Sequence, residues 1–225
     1  MTSVLFFEKY IEKLNIRRCF INGYNTIIDK INSSQDGNYV CQAFCGVGKS
    51  RFQYKVGLSA SLINNSISIF VFPSIALITQ FNSDYITNAV NKKYFKTMSI
   101  CSKNELDKTP EYKKFKYTTN QDQISSFIIS NKNSPTIICC TYHSLETFIN
   151  SIPPNTKIGF ASFDEAHRSS SSKYKKLIFS KNPFYNIGLF LSATPSNDMK
   201  KMERIVYVPY YNALDNKYLK EFELR

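Results

Sequence analysis

The chain has 225 residues, 43% of them hydrophobic and 20% charged, which excludes a disordered chain and allows one sizeable hydrophobic core. Its 29 basic and 17 acidic residues give a formal net charge of +12. This charge favours a polyanionic partner such as nucleic acid, although a solvated lysine-rich surface would give the same excess. No apolar run is long enough to span a membrane, and Met1–Val4 runs into Glu8 and Lys9 without a signal-peptide pattern. We therefore expect a soluble intracellular protein, in the cytoplasm, the nucleus or a virion, without a membrane partner.

The six cysteines form no CxxC pair and the chain has only two histidines, so the sequence does not predict a structural zinc site. Several cysteines fall within predicted strands, and we interpret them as reduced, mostly buried apolar side chains. One of the two histidines, His143, is predicted to have a structural role.

Helical and strand patterns alternate along the chain. Apolar residues recur at helical spacing from Phe7 to Leu14 and from Phe20 to Ile31, so two helices are predicted before the first strand. The charged stretch 108–116 is predicted to be a surface excursion. The other predicted elements are a strand ending at Tyr39–Cys41, a helix over 49–61, strands over 67–72, 95–101, 136–140, 158–163 and 187–191, a helix capped by Ser74, and helices near 120–130 and 143–150. This alternation predicts an α/β fold with a mainly parallel sheet, helices on both faces and ligands at the carboxyl ends of the strands.

The segment Ala43–Ser50 follows the first predicted strand and precedes a helix, which is the context of a phosphate-binding loop. Gly46 and Gly48 allow the backbone to turn with its N–H groups inward, toward an anion at the positive end of the helix. Lys49 would reach the β- and γ-phosphates, and the Ser50 hydroxyl would bind Mg²⁺. The usual pattern begins with glycine where this segment begins with alanine, and a simple helix cap by Ser50 is the alternative.

Two carboxylates, Asp164 and Glu165, directly follow the apolar strand predicted over 158–163. This position suits an ATPase, because Asp164 can hold the Mg²⁺ that bridges the phosphates while Glu165 orients and polarises the attacking water. Alone, the pair could equally form an acidic turn or a helix cap. The sequence separation from Lys49 is compatible with several intervening βα units and one shared nucleotide site.

Three segments, 43–50, Asp164–His167 and Ser192–Thr194, resemble in order and spacing the first three large motifs of superfamily-two DEAD/DEAH-box helicases. The phosphate loop of that family commonly begins with alanine. Arg168 and Leu191–Pro195 most resemble the branch of type I and type III restriction-enzyme motor subunits, excision-repair helicases and viral helicases. The resemblance spans nearly the whole chain and implies a RecA-like P-loop NTPase domain that uses ATP and Mg²⁺.

The resemblance also implies roles for individual residues. The catalytic candidates are Lys49, Asp164 and Glu165, the Mg²⁺ ligands are Ser50 and Asp164, and the coupling candidates are His167, Ser192 and Thr194. The nucleotide-binding candidates are Ala43, Cys45, Gly46, Val47, Gly48, Lys49 and Ser50, with Arg17 and Phe20 on the adenine side. The candidates for contacts with the nucleic-acid backbone are Pro73, Ser74, Gln80, Thr141, Tyr142 and Ser144, although ordinary helix caps would also explain such residues.

The family has two RecA-like domains, and the second supplies arginines that complete the site. Only the first is recognisable here, so we divide the chain into N-terminal helices (1–38), a RecA-like ATP-binding domain (39–209) and the start of the connection to an absent second domain (210–225). The resemblance implies the ATP-binding half of a nucleic-acid-dependent ATPase or helicase, weak or inactive without a second domain that another polypeptide could supply. DNA is favoured over RNA as the partner. A non-catalytic nucleic-acid- or partner-binding module is the main alternative, and a P-loop kinase or small-molecule ATPase would leave Asp164–His167 unexplained.

Overall fold

Seven parallel strands form the central sheet in the computed structural model, which describes residues 11, 14–87, 95–102, 117–170, 172–180 and 182–219. The strands are β1 (Gly37–Ala43), β2 (Ile67–Phe72), β3 (Lys96–Ile100), β4 (Thr136–Thr141), β5 (Ile158–Phe163), β6 (Tyr185–Ser192) and β7 (Glu203–Val208). Their spatial order is β3-β4-β2-β5-β6-β1-β7, and every pair of neighbours is parallel. The predicted α/β class with a mainly parallel sheet is therefore confirmed.

Helices connect the strands and cover both faces of the sheet. The described α-helices are α1 (Ile21–Asn32), α2 (Lys49–Ile63), α3 (Ile75–Phe81), α4 (Gln121–Asn131), α5 (Leu145–Asn150), α6 (Ser172–Ile178) and α7 (Tyr210–Asp215). Short 3-10 segments span Arg18–Phe20, Tyr142–Ser144, Ala166–Ser170 and Met199–Lys201, and a π-helical turn spans Asn82–Thr87. Within the described part of the chain, no helix is both long enough and apolar enough to cross a membrane.

Neighbouring residues of the five inner strands contribute to two separate apolar cores, one on each face of the sheet. On β2, Phe70 belongs to the core that contains Phe52 of α2. The preceding residue, Ile69, belongs to the opposite core, which contains Phe148 of α5. Because both faces are covered, β2 and β4 are buried at every position and read as continuous apolar runs rather than as alternating ones.

Helix α2, which follows the phosphate-loop segment, packs closely on the sheet. A Cβ atom on Gly57 would lie 2.3 Å from the ring of Phe70, so only glycine permits this approach. The Ser68 hydroxyl of β2 donates a hydrogen bond of 2.7 Å to the Gly57 carbonyl. These contacts fix the position of α2 and thereby of the residues at its N-terminus.

Most predicted elements are confirmed. The strands over 67–72 and 158–163 have the predicted limits, and the helix predicted over 49–61 continues to Ile63. The helix predicted near 143–150 begins with a 3-10 turn at Tyr142 and becomes α-helical at Leu145. The first predicted helix, from Phe7 to Leu14, lies largely outside the described residues, and the charged stretch 108–116 lies wholly outside them.

The sequence patterns do not predict β7, α6 or α7. β7 is an edge strand with exposed Glu203, Arg204 and Tyr207, so it lacks the continuous apolar run of the central strands. The cysteines largely fit the expectation of buried apolar side chains. No disulfide joins the described cysteines, and Cys41, Cys101, Cys139 and Cys140 are buried, whereas Cys45 is exposed.

Candidate functional site

The carboxyl ends of three adjacent strands bring the three motif segments together. β5, β6 and β1 are neighbours in the sheet, and they end at Phe163, Ser192 and Ala43. The carboxylates Asp164 and Glu165 therefore lie on the same edge as the segment 43–50. Ligands of open parallel α/β sheets bind at this edge. The predicted site residues therefore lie at the edge of the sheet where this class of fold binds its ligands.

The segment 43–50 adopts the backbone conformation of an anion-binding loop. Gly46 and Gly48 have φ values of 81° and 102°, which side chains other than glycine rarely adopt. Helix α2 begins directly afterwards at Lys49, with Gly48 as its N-cap and no side-chain cap. Ser50 therefore does not cap the helix, and its side chain is exposed. The helix N-terminus leaves N–H groups available to an anion.

The Lys49 ammonium lies folded over the loop. The residue is only 8% exposed, and its Nζ donates hydrogen bonds to the carbonyl oxygens of Ala43 at 3.0 Å and Phe44 at 3.4 Å. Around it, Ala43 and Val47 are buried, while Cys45 is exposed. A compact cation that is held by backbone carbonyls beside a helix N-terminus can exchange these partners for phosphate oxygens.

Asp164 is a buried carboxylate with a strongly perturbed proton affinity. It is 8% exposed, and burial raises its pKa to about 6, with a further contribution from the negative charge of Glu165. The Lys49 ammonium acts in the opposite direction and lowers the pKa, as does a backbone hydrogen bond at Glu165. The effect of the Lys49 charge on the pKa of Asp164 means that the loop and the carboxylate are close enough to interact electrostatically.

The turn that contains both carboxylates has an unusual backbone. Glu165 has a φ of 48°, in the left-handed region, which is uncommon for a residue with a side chain. The Asp164 N–H donates to the Val71 carbonyl at 2.9 Å, and the Arg168 N–H donates to the Glu165 carbonyl at 2.9 Å. Non-glycine residues in this conformation are typical of functional sites that the surrounding structure holds in place.

The three coupling candidates form a connected group. His167 Nδ1 lies 3.0 Å from the Ser192 hydroxyl oxygen and 3.4 Å from Glu165 Oε2. The same hydroxyl oxygen accepts a hydrogen bond of 3.0 Å from the Thr194 N–H, and Ser192 is fully buried. The structure therefore joins the segment after β6 to the carboxylate turn through His167. The coupling role of these residues remains a prediction.

The two segments predicted to contact nucleic acid differ in accessibility. After β2, Ser74 and Gln80 are exposed, Pro73 is partly exposed, and the Ser74 hydroxyl accepts the Leu77 N–H at 3.4 Å as a helix cap. After β4, in contrast, the side chains at positions 141, 142 and 144 are buried.

The segment at the end of β4 is buried. Thr141, Tyr142 and Ser144 are 5%, 4% and 6% exposed. The hydroxyls of Thr141 and Ser144 lie 3.2 Å apart, and the Tyr142 hydroxyl donates to the Asp164 carbonyl at 3.0 Å. These three side chains are engaged inside the protein, and the contact of this segment with the nucleic-acid backbone stays a prediction.

The adenine-side role of Arg17 and Phe20 stays a prediction. The Phe20 ring is 1% exposed and stacks on Phe52 with 4.9 Å between the ring centroids, because it belongs to the core beneath the sheet. Arg17 is exposed. Its Nη1 donates to the Tyr218 carbonyl at 2.7 Å, and its guanidinium lies 5.1 Å from the centroid of the Tyr218 ring.

Two groups near the site were missed by sequence reasoning. Gln53 of α2 is fully buried, and its Oε1 accepts a hydrogen bond of 2.7 Å from Ser162 of β5, which links the helix after the loop to the strand before Asp164. The sequence spacing could have indicated this link. Gln53 is four residues after Lys49, on the same face of the helix, and Ser162 is two residues before Asp164, on the same face of the strand.

The second missed group is Tyr218–Leu219. A Cβ atom on Gly46 would lie 3.0 Å from Leu219 Cδ2, so the segment after α7 packs against the phosphate loop. No spacing signal indicates this contact. Within the described part of the chain, no cluster of three or more Asp, Glu, His or Cys side chains has a geometry that could hold a metal ion.

Comparisons with known proteins were made for the sequence and for the fold. Residues 13–197 match the family model described as type III restriction enzyme, res subunit. No curated protein sequence matches the chain.

Among solved structures, the Type ISP restriction-modification enzyme LlaGI, as a nuclease-deletion mutant in complex with a DNA substrate mimic, superimposes with a TM-score of 0.69 at 19% identity, covering 88% of this chain and 18% of its own. The ATP-dependent Type ISP enzyme LlaBIII bound to DNA superimposes with a TM-score of 0.70 at 15% identity, and the match covers 93% of this chain and 16% of the LlaBIII chain. The Hef helicase domain of Pyrococcus furiosus superimposes with a TM-score of 0.58 at 14% identity, and the match covers 90% of this chain and 40% of the Hef chain. The chain thus spans less than half the length of each, and these likenesses confirm the predicted RecA-like fold.

Proposed function

Because the chain belongs to the family of type III restriction enzyme res subunits, we propose that it is the ATP-binding module of a nucleic-acid-dependent ATPase. The observation that carries the proposal is the placement of Lys49 after β1 and Asp164 after β5, on the two sides of β6 at the carboxyl edge, where their charges interact. Together with the loop of Gly46 and Gly48, this arrangement provides an anion site, a cation and a carboxylate. These are the parts that binding and hydrolysis of a nucleoside triphosphate require.

In this proposal the loop N–H groups and Lys49 bind the phosphates. The exposed Ser50 hydroxyl and the Asp164 carboxylate are oxygen ligands that fit Mg²⁺, which takes few protein ligands and keeps several waters. When bound, the ion supplies charge neutralisation at the transferring phosphoryl group. Glu165 orients the attacking water and accepts its proton. Asp164, with a pKa of about 6, is mostly ionised at neutral pH and can then serve as a ligand.

The nucleic-acid part of the proposal rests on the charge and on the exposed segment after β2. The net charge of +12 favours a polyanion, and Ser74 and Gln80 are accessible next to the carboxyl edge. Two of the similar structures are described as bound to DNA or to a DNA substrate mimic, so we propose DNA as the partner. A second RecA-like domain, in the same or another polypeptide, would supply the arginines that stabilise the transition state, an effect of about 10³ to 10⁵ in rate.

Equilibrium binding of a fluorescent ATP analogue in the presence of Mg²⁺ tests the nucleotide site. We expect Lys49→Ala to weaken binding about 10- to 100-fold, because it removes charge-assisted hydrogen bonds to the phosphates. Lys157→Ala is the matched control, since it removes the same charge just before β5, at the opposite edge of the sheet, where Lys157 pairs with Asp36 at 3.5 Å. Equal binding by the wild type and the Lys49→Ala variant would refute the nucleotide site and would favour a non-catalytic binding module.

Hydrolysis of MgATP with and without single- and double-stranded DNA tests the catalytic part. We expect slow turnover by the chain alone and its loss in Glu165→Gln, which keeps the side-chain size but cannot accept the proton. Binding of MgATP should persist in that variant. Turnover that is unchanged by Glu165→Gln would exclude Glu165 as the base.

A further inference from the structure

One buried side chain links the segment after β4 to the carboxylate turn after β5. Tyr142 directly follows β4, is 4% exposed, and its hydroxyl donates a hydrogen bond of 3.0 Å to the carbonyl of Asp164. β4 and β5 are not neighbours, since both pair with β2. Adjacent strands lie about 4.8 Å apart, so the link crosses the end of an intervening strand.

The link acts on the one residue of the turn whose position matters most for a metal ion. The Asp164 N–H is bound to the Val71 carbonyl of β2, and its carbonyl is bound to Tyr142, so the peptide groups on both sides of its side chain are fixed. The next residue, Glu165, has a φ of 48°. A conformation of this kind persists only when surrounding contacts hold it, and the Tyr142 hydroxyl is one such contact.

The tyrosine is suited to remain a donor. Its pKa is raised well above the usual value, first by burial and then by the negative charges of Asp164 and Glu165, so the hydroxyl keeps its proton. Its ring also packs on Tyr174 of α6 with 5.5 Å between centroids. Tyr142 thus contacts both the carboxylate turn and the helix that follows it.

The other end of the link is the segment Thr141–Ser144, which lies beside the loop of Pro73 and Ser74 at the ends of neighbouring strands. The Thr141 hydroxyl donates a hydrogen bond of 3.2 Å to the Ser144 hydroxyl, which ties the two ends of this segment together. Any displacement of this segment by a ligand at this edge moves the Tyr142 hydroxyl. The Asp164 carbonyl must then follow or lose its hydrogen bond.

We propose that Tyr142 is a positioning residue that couples the nucleic-acid edge to the carboxylate turn, so that DNA and MgATP bind cooperatively through its hydroxyl. This inference rests on the proposed function and adds the path by which one ligand affects the other. Coupling of this kind is reciprocal, because DNA must strengthen MgATP binding by the same factor as MgATP strengthens DNA binding. A single hydrogen bond to a backbone carbonyl corresponds to a factor of about 5.

The test measures the dissociation constant of a non-hydrolysable fluorescent ATP analogue with Mg²⁺, with and without a saturating 20-base-pair DNA duplex. The proteins are the wild type, Tyr142→Phe and Tyr174→Phe. The second variant is the matched control, because it removes the same hydroxyl from the ring that packs on Tyr142. Urea unfolding of each variant establishes that it is folded.

We expect DNA to tighten analogue binding about 5-fold or more in the wild type and in Tyr174→Phe, and by a factor of about 1 in Tyr142→Phe. Tyr142→Phe should still bind each ligand alone in a saturable manner, which a general loss of structure would not permit. An unchanged coupling factor in Tyr142→Phe, or an equal loss in Tyr174→Phe, would overturn the inference.

The same data separate this inference from the proposed function. If the wild type binds both ligands but each independently of the other, only the coupling through Tyr142 is wrong. If the wild type does not bind the analogue, or Lys49→Ala binds it equally well, the proposed nucleotide site is wrong and the coupling is wrong with it.

Discussion

The phosphate loop and the carboxylate turn face the same candidate site but obtain their unusual backbones in different ways. The loop places its positive φ values at Gly46 and Gly48, where a side chain would be unfavourable and none is present. The turn places a positive φ at Glu165, whose side chain the proposed chemistry needs. The loop conformation is therefore encoded locally, whereas the turn depends on contacts from Tyr142, Val71 and Arg168. Chemistry that requires a side chain at such a position costs stability, which other parts of the fold must offset.

Replacing the buried carboxylate should give the largest change in stability. The folded-state pKa of about 6 for Asp164 exceeds the ordinary aspartate value of 3.8, so the folded protein binds this proton more tightly than the unfolded chain does. The contribution of Asp164 to stability is therefore most favourable below about pH 4, and it falls as the pH rises to about 6. Asp164→Asn does not titrate and should be more stable than the wild type by roughly 3 kcal/mol at neutral pH.

Urea unfolding at pH 4 and at pH 7.5, without nucleotide or metal, checks this prediction. The stability gain of the D164N variant should be small at pH 4 and reach its full size above about pH 6. Asp122→Asn provides a matched control, since it removes a carboxylate that is exposed to solvent and loses little hydration on folding. A gain that is independent of pH would contradict the explanation.

The phosphate loop should respond in the opposite direction. Gly48→Ala introduces a side chain at a φ of 102°, and the nearest atom to its Cβ would be 3.9 Å away on Phe20, so the cost is in the backbone rather than in a clash. We expect a loss of about 1 to 2 kcal/mol in unfolding free energy. Gly48→Asn should lose less, because asparagine tolerates positive φ better than alanine. Equal losses in both variants would show that the backbone is not the cause.

A glycine in the carboxylate turn should stabilise the protein relative to alanine. Glu165→Gly and Glu165→Ala both remove the carboxylate, but only glycine adopts a φ of 48° without steric cost. We expect the glycine variant to be more stable than the alanine variant by about 1 kcal/mol in thermal or urea unfolding. The reverse order would mean that the turn is not strained at this position.

Ser50→Ala should have the smallest effect on stability. The side chain is exposed and does not cap α2, so the unfolding free energy should change by less than about 0.5 kcal/mol. The affinity of the Ser50→Ala variant for MgATP should nevertheless fall, because the proposed metal ligand is lost. A loss of stability above about 1 kcal/mol would instead identify Ser50 as a structural cap.

The sequence predicts the loop well because its conformation is local. The glycines of the loop determine its turn within a few residues. In the same way, the apolar run of β2 and the proline that ends it, Pro73, indicate a buried strand and its limit from neighbouring residues alone. The carboxylates were found for the same reason, since they follow a buried strand directly. The fold class follows from this alternation of strands and helices.

The environment of Tyr142 could not be predicted in this way. Its hydroxyl partner is the carbonyl of Asp164, 22 residues later and on a strand that is not adjacent, so no local pattern indicates the contact. Phe20 is a different case. Its helical spacing already assigns it to an apolar face, and the structure buries it against Phe52. Residues transferred by resemblance therefore need a test of accessibility before they are given a ligand.

The contact between Leu219 and Gly46 has a mechanical consequence. Leu219 lies beside the loop proposed to bind phosphate, and the preceding residue, Tyr218, is anchored to Arg17. A force applied to the chain at Leu219 would therefore act directly on the phosphate loop, because Leu219 packs against Gly46. A label or a pulling handle placed here would therefore report strain in the loop before it reports any unfolding of the sheet.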